Sequence, residues 1–517
     1  MALSQISCED KSADCAPSRS PGSTVRSRTA ARLDRAIFVC FCVIAFSALQ
    51  YIKLTAFAFA TALLLWLAKL LISGREYRPQ PLVLPSLLFL ITAGIASALS
   101  FAPLLSWERI GSYALLPLAF VVAQNVKTSW QLKILVFLVL LSGTVSALRT
   151  GWQYAYGIGS RLVDVPADSL LFRDGIRSGD LIQLVNGHRT RSLQQWKAAL
   201  ESTRADPTLR LHVARQAPIA PLTTYFDFGI DRKDLDQWLN LPGTKVQRGR
   251  PQRATGHLDH FVRYAGVMTL LASLAFGLLI TTPGNTARLI LGAVLVALVA
   301  ALFATVTRAY IIGLFLGCAF QLWLIHRRLR TAAIIGLAVC VLATILWVRK
   351  ERGSVWLSAG DRFRVEMWKD ALKLIPHHPW FGVGPDSVDQ YGEHWHIRAF
   401  KEFDFRAHFH STYVQLAVDC GLPCLAAWLW LLGGYLSFLN RSWKDSASWD
   451  PFARGTLLGV FAGAVIFVVA SAVNYTLADS EVVAVAWLFM GLATALVRIE
   501  KEAQAQRHRT QLVVSAA

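Results

Sequence analysis

The chain is poor in charge and poorer in acid: 16% of its 517 residues are charged, with 33 Asp and Glu against 52 Lys and Arg. So little charge beside 54% hydrophobic residues excludes a soluble globular protein and points to many membrane spans. Cysteine is absent from the two long polar stretches near 150–260 and 349–410; Cys8 and Cys15 lie in the N-terminal stretch, and Cys40, Cys42, Cys318, Cys340, Cys420 and Cys424 in apolar runs. That distribution excludes a disulfide framework, and no CxxC spacing suggests a metal knuckle. No metallohydrolase string accompanies the histidines, and no paired carboxylates stand at glycosidase-like positions. The stretch before Ala36 is polar, Ser-rich and Arg-bearing, which argues against a cleaved signal peptide and for a first span that stays as an anchor.

What is present is a series of apolar runs: near 36–51, 54–73, 82–101, 111–125, 132–149, 261–281, 286–305, 309–325, 331–348, 411–438, 455–477 and 482–497. The expected fold is an all-α polytopic membrane protein of about twelve transmembrane helices. With the N-terminus inside, one set of short loops carries Arg75, Arg78, Lys127, Lys133, Arg288, Arg327, Arg328, Arg330, Arg441, Lys444 and Arg454, and the C-terminal tail adds Arg498, Lys501, Arg507 and Arg509. The opposite short loops carry Lys53, Arg109 and Arg308. This asymmetry orients the chain. The net charge of +19 therefore reflects loop orientation, and no nucleic-acid partner is expected. The expected organisation is a cytoplasmic tail over 1–35, spans over 36–149, an outer loop over 150–258, spans over 259–348, a second outer loop over 349–410, spans over 411–497 and a cytoplasmic tail over 498–517. In a bacterium the outer side of the inner membrane is the periplasm.

The first outer loop holds a segment of its own over about 158–216. "DLIQLVNG" alternates at strand period, Asn186-Gly187 reads as a hairpin turn, Leu193 to Leu200 turns helical, and "LRLHVAR" closes as a strand. The pattern of Gly175, Ile176, Gly179, Asp180, Ile182, Asn186 and Gly187 resembles a bacterial PDZ domain, a small α+β module. That likeness implies capture of an extended peptide at a sheet edge. Because these residues are turn and core positions, a rigid spacer without a ligand groove is equally compatible.

Arginines collect at the outer membrane boundary: Arg253 in "RATGHLDH" with Gly256 and His260, Arg308 in "TVTRAY", Arg362 and Arg364 in "GDRFRVEMW", and Arg406 in "FRAHFHS". A charge at the hydrocarbon edge is costly unless it meets a cavity, a partner or lipid phosphate. Several guanidinium forks together suit a phosphate or pyrophosphate. His408 and His410 can accept a proton near neutral pH. The pairs His394/His396 and His408/His410 have HxH spacing, which leaves a metal reading open; for His394 and His396 a polar loop beside aromatics is preferred. "HHPWFGVGPDSV", with Gly382 and Gly384, reads as a turn with close backbone approach.

Taken in order, these segments resemble the O-antigen ligase family of the O-antigen ligase and polymerase superfamily. The likeness rests on His410, Ser411, Tyr413, Val414, Gln415, Asp419, Gly421 and Leu422, on Arg364, Trp368, Pro379, Phe381, Gly382, Gly384 and Pro385 upstream, on Arg308 in "TVTRAY", and on Arg253 and Gly256 in "RATGHL". It covers 250–497. Departures are Ser411 for asparagine, Asp419 for glutamate, Cys424 for glycine, and the inserted module. The resemblance implies periplasmic transfer of a glycan from undecaprenyl pyrophosphate to lipid A-core, without metal, nucleotide sugar or cofactor. It also implies His410 as catalytic base, Arg308, Arg364, Arg253, Arg406 and Arg362 as pyrophosphate ligands, and Tyr413, Asp419, Gly382, Gly384 and His408 in support. A single inverting displacement is expected.

Three other activities fit parts of the pattern. A protein O-oligosaccharyltransferase acting on pilin-like proteins would use the peptide-binding module, although the chain ends about 20 residues after its last apolar run, without the extra C-terminal region that many such enzymes carry. A polymerase of repeat units shares the superfamily. A transporter of anionic lipids would place charges at the bilayer midplane, where this chain has few. The orientation is testable: alkaline phosphatase inserted in the 150–258 loop should be active, and the same reporter fused after Arg498 inactive; the reverse pattern would overturn the topology.

Overall fold

The computed structural model describes residues 21–73, 80, 82–216, 223–240, 245–251, 253–325 and 359–516, with short pieces between 330 and 346. Eight of the described helices are long and apolar enough to cross a membrane: Ile52–Ile72, Ser129–Tyr156, Phe261–Thr281, Asn285–Ala304, Arg308–Ile325, Gly421–Ser448, Pro451–Ser471 and Ser480–Gln511. The protein is thus a mostly helical, multi-pass membrane protein. Three expected runs are not among these eight, a fourth falls largely outside the described residues, and the 411–438 run is interrupted. The run at 36–51 ends a helix that begins at Pro21, inside the expected tail, and carries four arginines ahead of its apolar part. Val83–Ala98 is a shorter apolar helix. The run at 111–125 is split into a 3-10 turn, Ile110–Leu115, and a helix restarted by proline, Pro117–Asn125. The run at 331–348 lies largely outside the described residues, as do Arg75, Arg78, Arg327 and Arg328.

Phe261–Thr281 is the central helix, and it packs closely on Pro451–Ser471. Glycine makes this approach possible: a Cβ on Gly277 would lie 2.6 Å from the Gly455 carbonyl oxygen, and one on Gly459 would lie 2.6 Å from Leu274 Cα. Small residues at a helix crossing are how membrane helices gain packing when lipid offers no hydrophobic contrast. Asn285–Ala304 lies at the periphery and leaves Leu289, Ile290 and Val296 exposed, as a lipid-facing helix should.

The two ends of the bundle carry different polar contacts. At one, Asp34 bridges Lys69 at 2.8 Å and Lys127 at 2.9 Å, Lys501 pairs with Asp445, and Arg498 donates to the carbonyls of Ala123 and Val126. At the other, Tyr113 meets Tyr475, Arg109 meets Asp386, Arg263 meets Asp479 and Arg308 meets Asp361. Segments expected on one side of the membrane thus meet one another at one end.

The inserted module is a small antiparallel sheet with strands β1 (Gly159–Val163), β2 (Leu181–Val185), β3 (His188–Arg189), β4 (Thr208–Gln216), β5 (Thr223–Asp231) and β6 (Lys245–Gly249), ordered β5-β4-β2-β1-β6 with β3 beside β2. It runs on to Gly249, past the expected limit at 216, because β6 pairs along all of β1. Leu162, Ile182, Trp196, Leu211, Val213, Leu235 and Trp238 form its core. Asn186 and Gly187 both take positive φ at the β2–β3 turn, and buried Asp180 pairs with Arg215.

The tenth run is broken. Thr412–Asp419 ends at Cys420, and the membrane helix restarts at Gly421, whose φ is +81°. The loop Pro379–Gly384 threads through this break: Val383 and Gly384 donate N–H to the carbonyls of Val418 and Asp419, and Leu422 donates to Pro379. A Cβ on Gly382 would sit 2.4 Å from the Asp419 carbonyl, and its φ is +67°. Gly382→Ala should therefore cost at least about 1–3 kcal/mol from backbone strain alone and lower the thermal midpoint of the detergent-solubilised protein. An unchanged midpoint would remove this account of the loop.

Candidate active site

The site is built around an imidazole pair that leads into the Thr412–Asp419 helix. The rings of His408 and His410 lie 4.4 Å apart, and His408 also faces the Tyr475 ring at 5.5 Å. His410 has φ +51°, a left-handed conformation that costs a non-glycine residue on the order of 1–3 kcal/mol. Its neighbours hold it there. The Phe409 carbonyl accepts from the Trp368 indole at 2.7 Å, and the Phe409 N–H donates to Gln415 at 2.8 Å. Ser411 caps the helix by accepting from Val414, and the Thr412 N–H and hydroxyl both donate to the Asn474 carbonyl. Gln415 in turn donates to Asp419 at 2.9 Å, and Tyr413 donates its hydroxyl to the Val468 carbonyl at 2.7 Å. Tyr413 and Asp419 thus hold the helix that presents the imidazoles. Gly382 and Gly384 support the same helix from its far end.

One face of the Ala359–Leu374 helix looks onto the pair. Asp361, Arg364 and Trp368 recur at three and four residues, so they share a face. Phe363 packs edge-on to His410 at 6.0 Å. Arg362, two residues from Arg364 and about 200° round the helix, is exposed. Arg308 donates from one nitrogen to both oxygens of Asp361, each at 2.9 Å. Arg406 pairs with Glu393 at the surface, at 2.5 Å.

Arg253 turns inward to the backbone. It donates to the carbonyls of Thr305 at 2.7 Å and Val306 at 2.8 Å, and its guanidinium lies 3.4 Å over the Phe261 ring. The turn it grips contains Val306 at φ +53°, two residues before Arg308. Arg253 is therefore in place to position Arg308.

The fold adds groups that the sequence reading did not place in the site. Arg109, the last residue of the short helix Pro103–Arg109, lies 5.4 Å from the Tyr475 ring centre and pairs with Asp386 at 3.3 Å. Arg263, one turn into the central helix, pairs with Asp479 at 3.2 Å. His260 caps that helix and stacks on Phe261. The sequence signal was present for Arg109, a rare charge in a short outer loop.

Burial and the positive charges of Arg109, Arg364 and Arg263, with His260 nearby, push the His408 pKa down to about 3. Burial, His408 and Arg364 push His410 well below the usual imidazole range. Both rings are neutral at pH 7 and can accept a proton. Burial raises Asp389 to about 7, with Asp386 adding to the effect; burial also raises Asp479 to about 7, against the pull of Arg263. Asp389 and Asp479 are thus only partly charged near neutrality, which lessens the negative charge beside the site.

His394 and His396 do not join this pair: His394 stacks on Phe101 at 4.4 Å and meets Trp395 edge-on. Among the described residues no group of three or more His, Cys, Asp or Glu side chains is arranged to hold a metal ion.

A neutral imidazole pair under guanidiniums at one end of a membrane-spanning bundle defines a site suited to anionic, lipid-borne substrates. A family model described as O-Antigen ligase matches residues 292–429, about a quarter of the chain. The match supports an O-antigen ligase or polymerase type of activity in glycan assembly. It spans Arg308, Arg364, Gly382, Gly384, His408, His410 and Asp419, and leaves out Arg109, Arg253, Arg263 and the sheet module. No match is found among curated proteins.

Arg253 and Arg308 should separate in the laboratory. Arg253→Ala should lower both the thermal midpoint and glycan transfer, since it releases the 305–307 turn. Arg308→Ala should lower transfer with a smaller drop in midpoint, from the loss of its Asp361 pair alone. Equal midpoints for both variants would contradict the positioning role.

Proposed function

We propose that the protein is a glycosyltransferase of the O-antigen ligase type, in the bacterial inner membrane with its site facing the periplasm. It moves an O-antigen or similar glycan from undecaprenyl pyrophosphate to lipid A-core, without a metal. The observation that carries this reading is the His408–His410 pair, locked in place and surrounded by Arg109, Arg263 and Arg364. A pyrophosphate leaving group needs charge neutralisation in a partly dehydrated site, and guanidiniums held by carboxylates are already oriented to give it.

In the reaction, His410 takes the proton of the acceptor hydroxyl as the oxygen attacks the anomeric carbon. The bond from that carbon to the pyrophosphate oxygen breaks, and the electron pair leaves with undecaprenyl pyrophosphate. Arg308 and Arg364 receive the developing charge, with Arg109 and Arg263 behind them. Asp386, Asp479 and Glu481 are each engaged with an arginine, which favours direct displacement with inversion over attack by a carboxylate. Donor binding also prepares the base, because an anion beside the guanidiniums offsets their field and raises the imidazole pKa.

Transfer to a pilin-like protein remains the second reading, favoured by the folded sheet module and its PDZ-like turns at Gly175, Gly179, Asn186 and Gly187. Deleting the gene and following lipopolysaccharide ladders beside pilin mass separates the two: loss of the ladder alone supports the ligase, and a pilin mass change alone supports the rival. In the purified protein, His410→Ala should reduce transfer at least about a hundredfold, the usual range for a general base, while leaving the protein folded in the membrane. Full activity of that variant would remove His410 as base.

A further inference from the structure

A second basic site lies where the sheet module meets the membrane helices. An open cleft of about 840 Å³ is lined by Arg161, Ser192, Gln194, Gln247, Arg248, Arg250 and Pro251. Three arginines and three neutral polar side chains line it, and no carboxylate does. Arg161 is fixed by donating to the Arg250 carbonyl at 2.9 Å, yet its Nε is buried with no hydrogen-bond partner among the described residues. An orphaned, buried guanidinium nitrogen is costly and marks a place for an acceptor.

The surroundings add to the charge. Arg149, Arg189 and Arg191 stand close together, so that burial and then the charges of Arg189 and Arg149 lower the pKa of Arg191. Among the described residues none of these six arginines takes part in an ion pair. The cleft also has a defined height. Arg248 donates to the Ala155 carbonyl in the last turn of Ser129–Tyr156, and Arg191 lies 4.7 Å over the Trp152 ring. Trp152 and Tyr156 are exposed beside it, the aromatic pair expected where a membrane helix leaves the bilayer.

We propose that this cleft binds the phosphorylated sugar head group of a membrane-resident glycolipid, and so docks the lipid acceptor. The inference rests on the lipid-acceptor reading above and names how that acceptor is held. Guanidinium forks match phosphate oxygens, neutral Ser192, Gln194 and Gln247 match sugar hydroxyls, and the aromatic pair sets the depth at which a head group sits. A peptide bound by strand addition would call for an apolar groove, and apart from Pro251 this lining is polar or charged.

The test uses the full-length protein in lipid nanodiscs and measures equilibrium binding of a water-soluble bisphosphorylated glucosamine disaccharide, its dephosphorylated form, inorganic phosphate and an acidic peptide. The bisphosphate should bind tightest, and Arg248→Gln and Arg250→Gln should each weaken it about tenfold, the loss of one charge-assisted contact. Both side chains are exposed, so the variants should fold; in transfer assays they should raise the acceptor KM and leave the donor KM unchanged. Equal binding of the dephosphorylated sugar, tighter binding of phosphate alone or of the peptide, or indifference to both substitutions would overturn the proposal. Bisphosphate binding without glycan transfer to any lipid would sink the ligase reading and leave this site standing, whereas transfer with unchanged acceptor KM in both variants would remove the site alone.

Discussion

The structure depends on how charge is kept at the edge of hydrocarbon. Isolated guanidiniums and imidazoles there would pull the chain toward water, and around the imidazole pair four arginines are held by specific contacts. Arg308 has Asp361, Arg263 has Asp479, Arg109 has Asp386 and Tyr475, and Arg253 has two carbonyls and an aromatic face. The imidazoles stay neutral. These contacts tie segments from near residue 100 to near 480 into one surface, so the polar site also fastens the helix ends at which it lies.

Much of this was readable in the chain. His410 stood beside His408 at the start of an apolar run, and the glycines of "WFGVGP" pointed to close backbone approach, which the loop makes against the Val418–Leu422 break. The break itself was hidden, because an apolar run looks continuous when its interruption is a backbone hydrogen-bond exchange at Gly421. The sequence suggests Arg253 as a phosphate ligand, and nothing local in it marks the backbone contacts that the fold supplies. These are the carbonyls of Thr305 and Val306, 52 and 53 residues away. Asp479 and Arg263 were likewise invisible as a pair until the helices were packed.

The sheet module was legible in its turns and not in its extent. Asn186-Gly187 announced a hairpin, but β5 and β6 lie past the stretch with strand periodicity, and β6 returns to β1 only in three dimensions. That return brings Arg248 and Arg250 beside Arg161, and brings the module's basic face to the end of a membrane helix.

The central claim is that burial and the surrounding guanidiniums keep the imidazoles neutral until the donor's anion arrives. The most direct measurement is the pH dependence of transfer by the purified protein, resolved into kcat/KM for the donor and kcat. Burial and positive neighbours lower the free imidazole pKa, so the acid limb of kcat/KM should fall well below the ordinary value of 6.5. Bound pyrophosphate opposes that field, so the acid limb of kcat should lie at higher pH. Limbs that coincide at 6.5 would contradict the account.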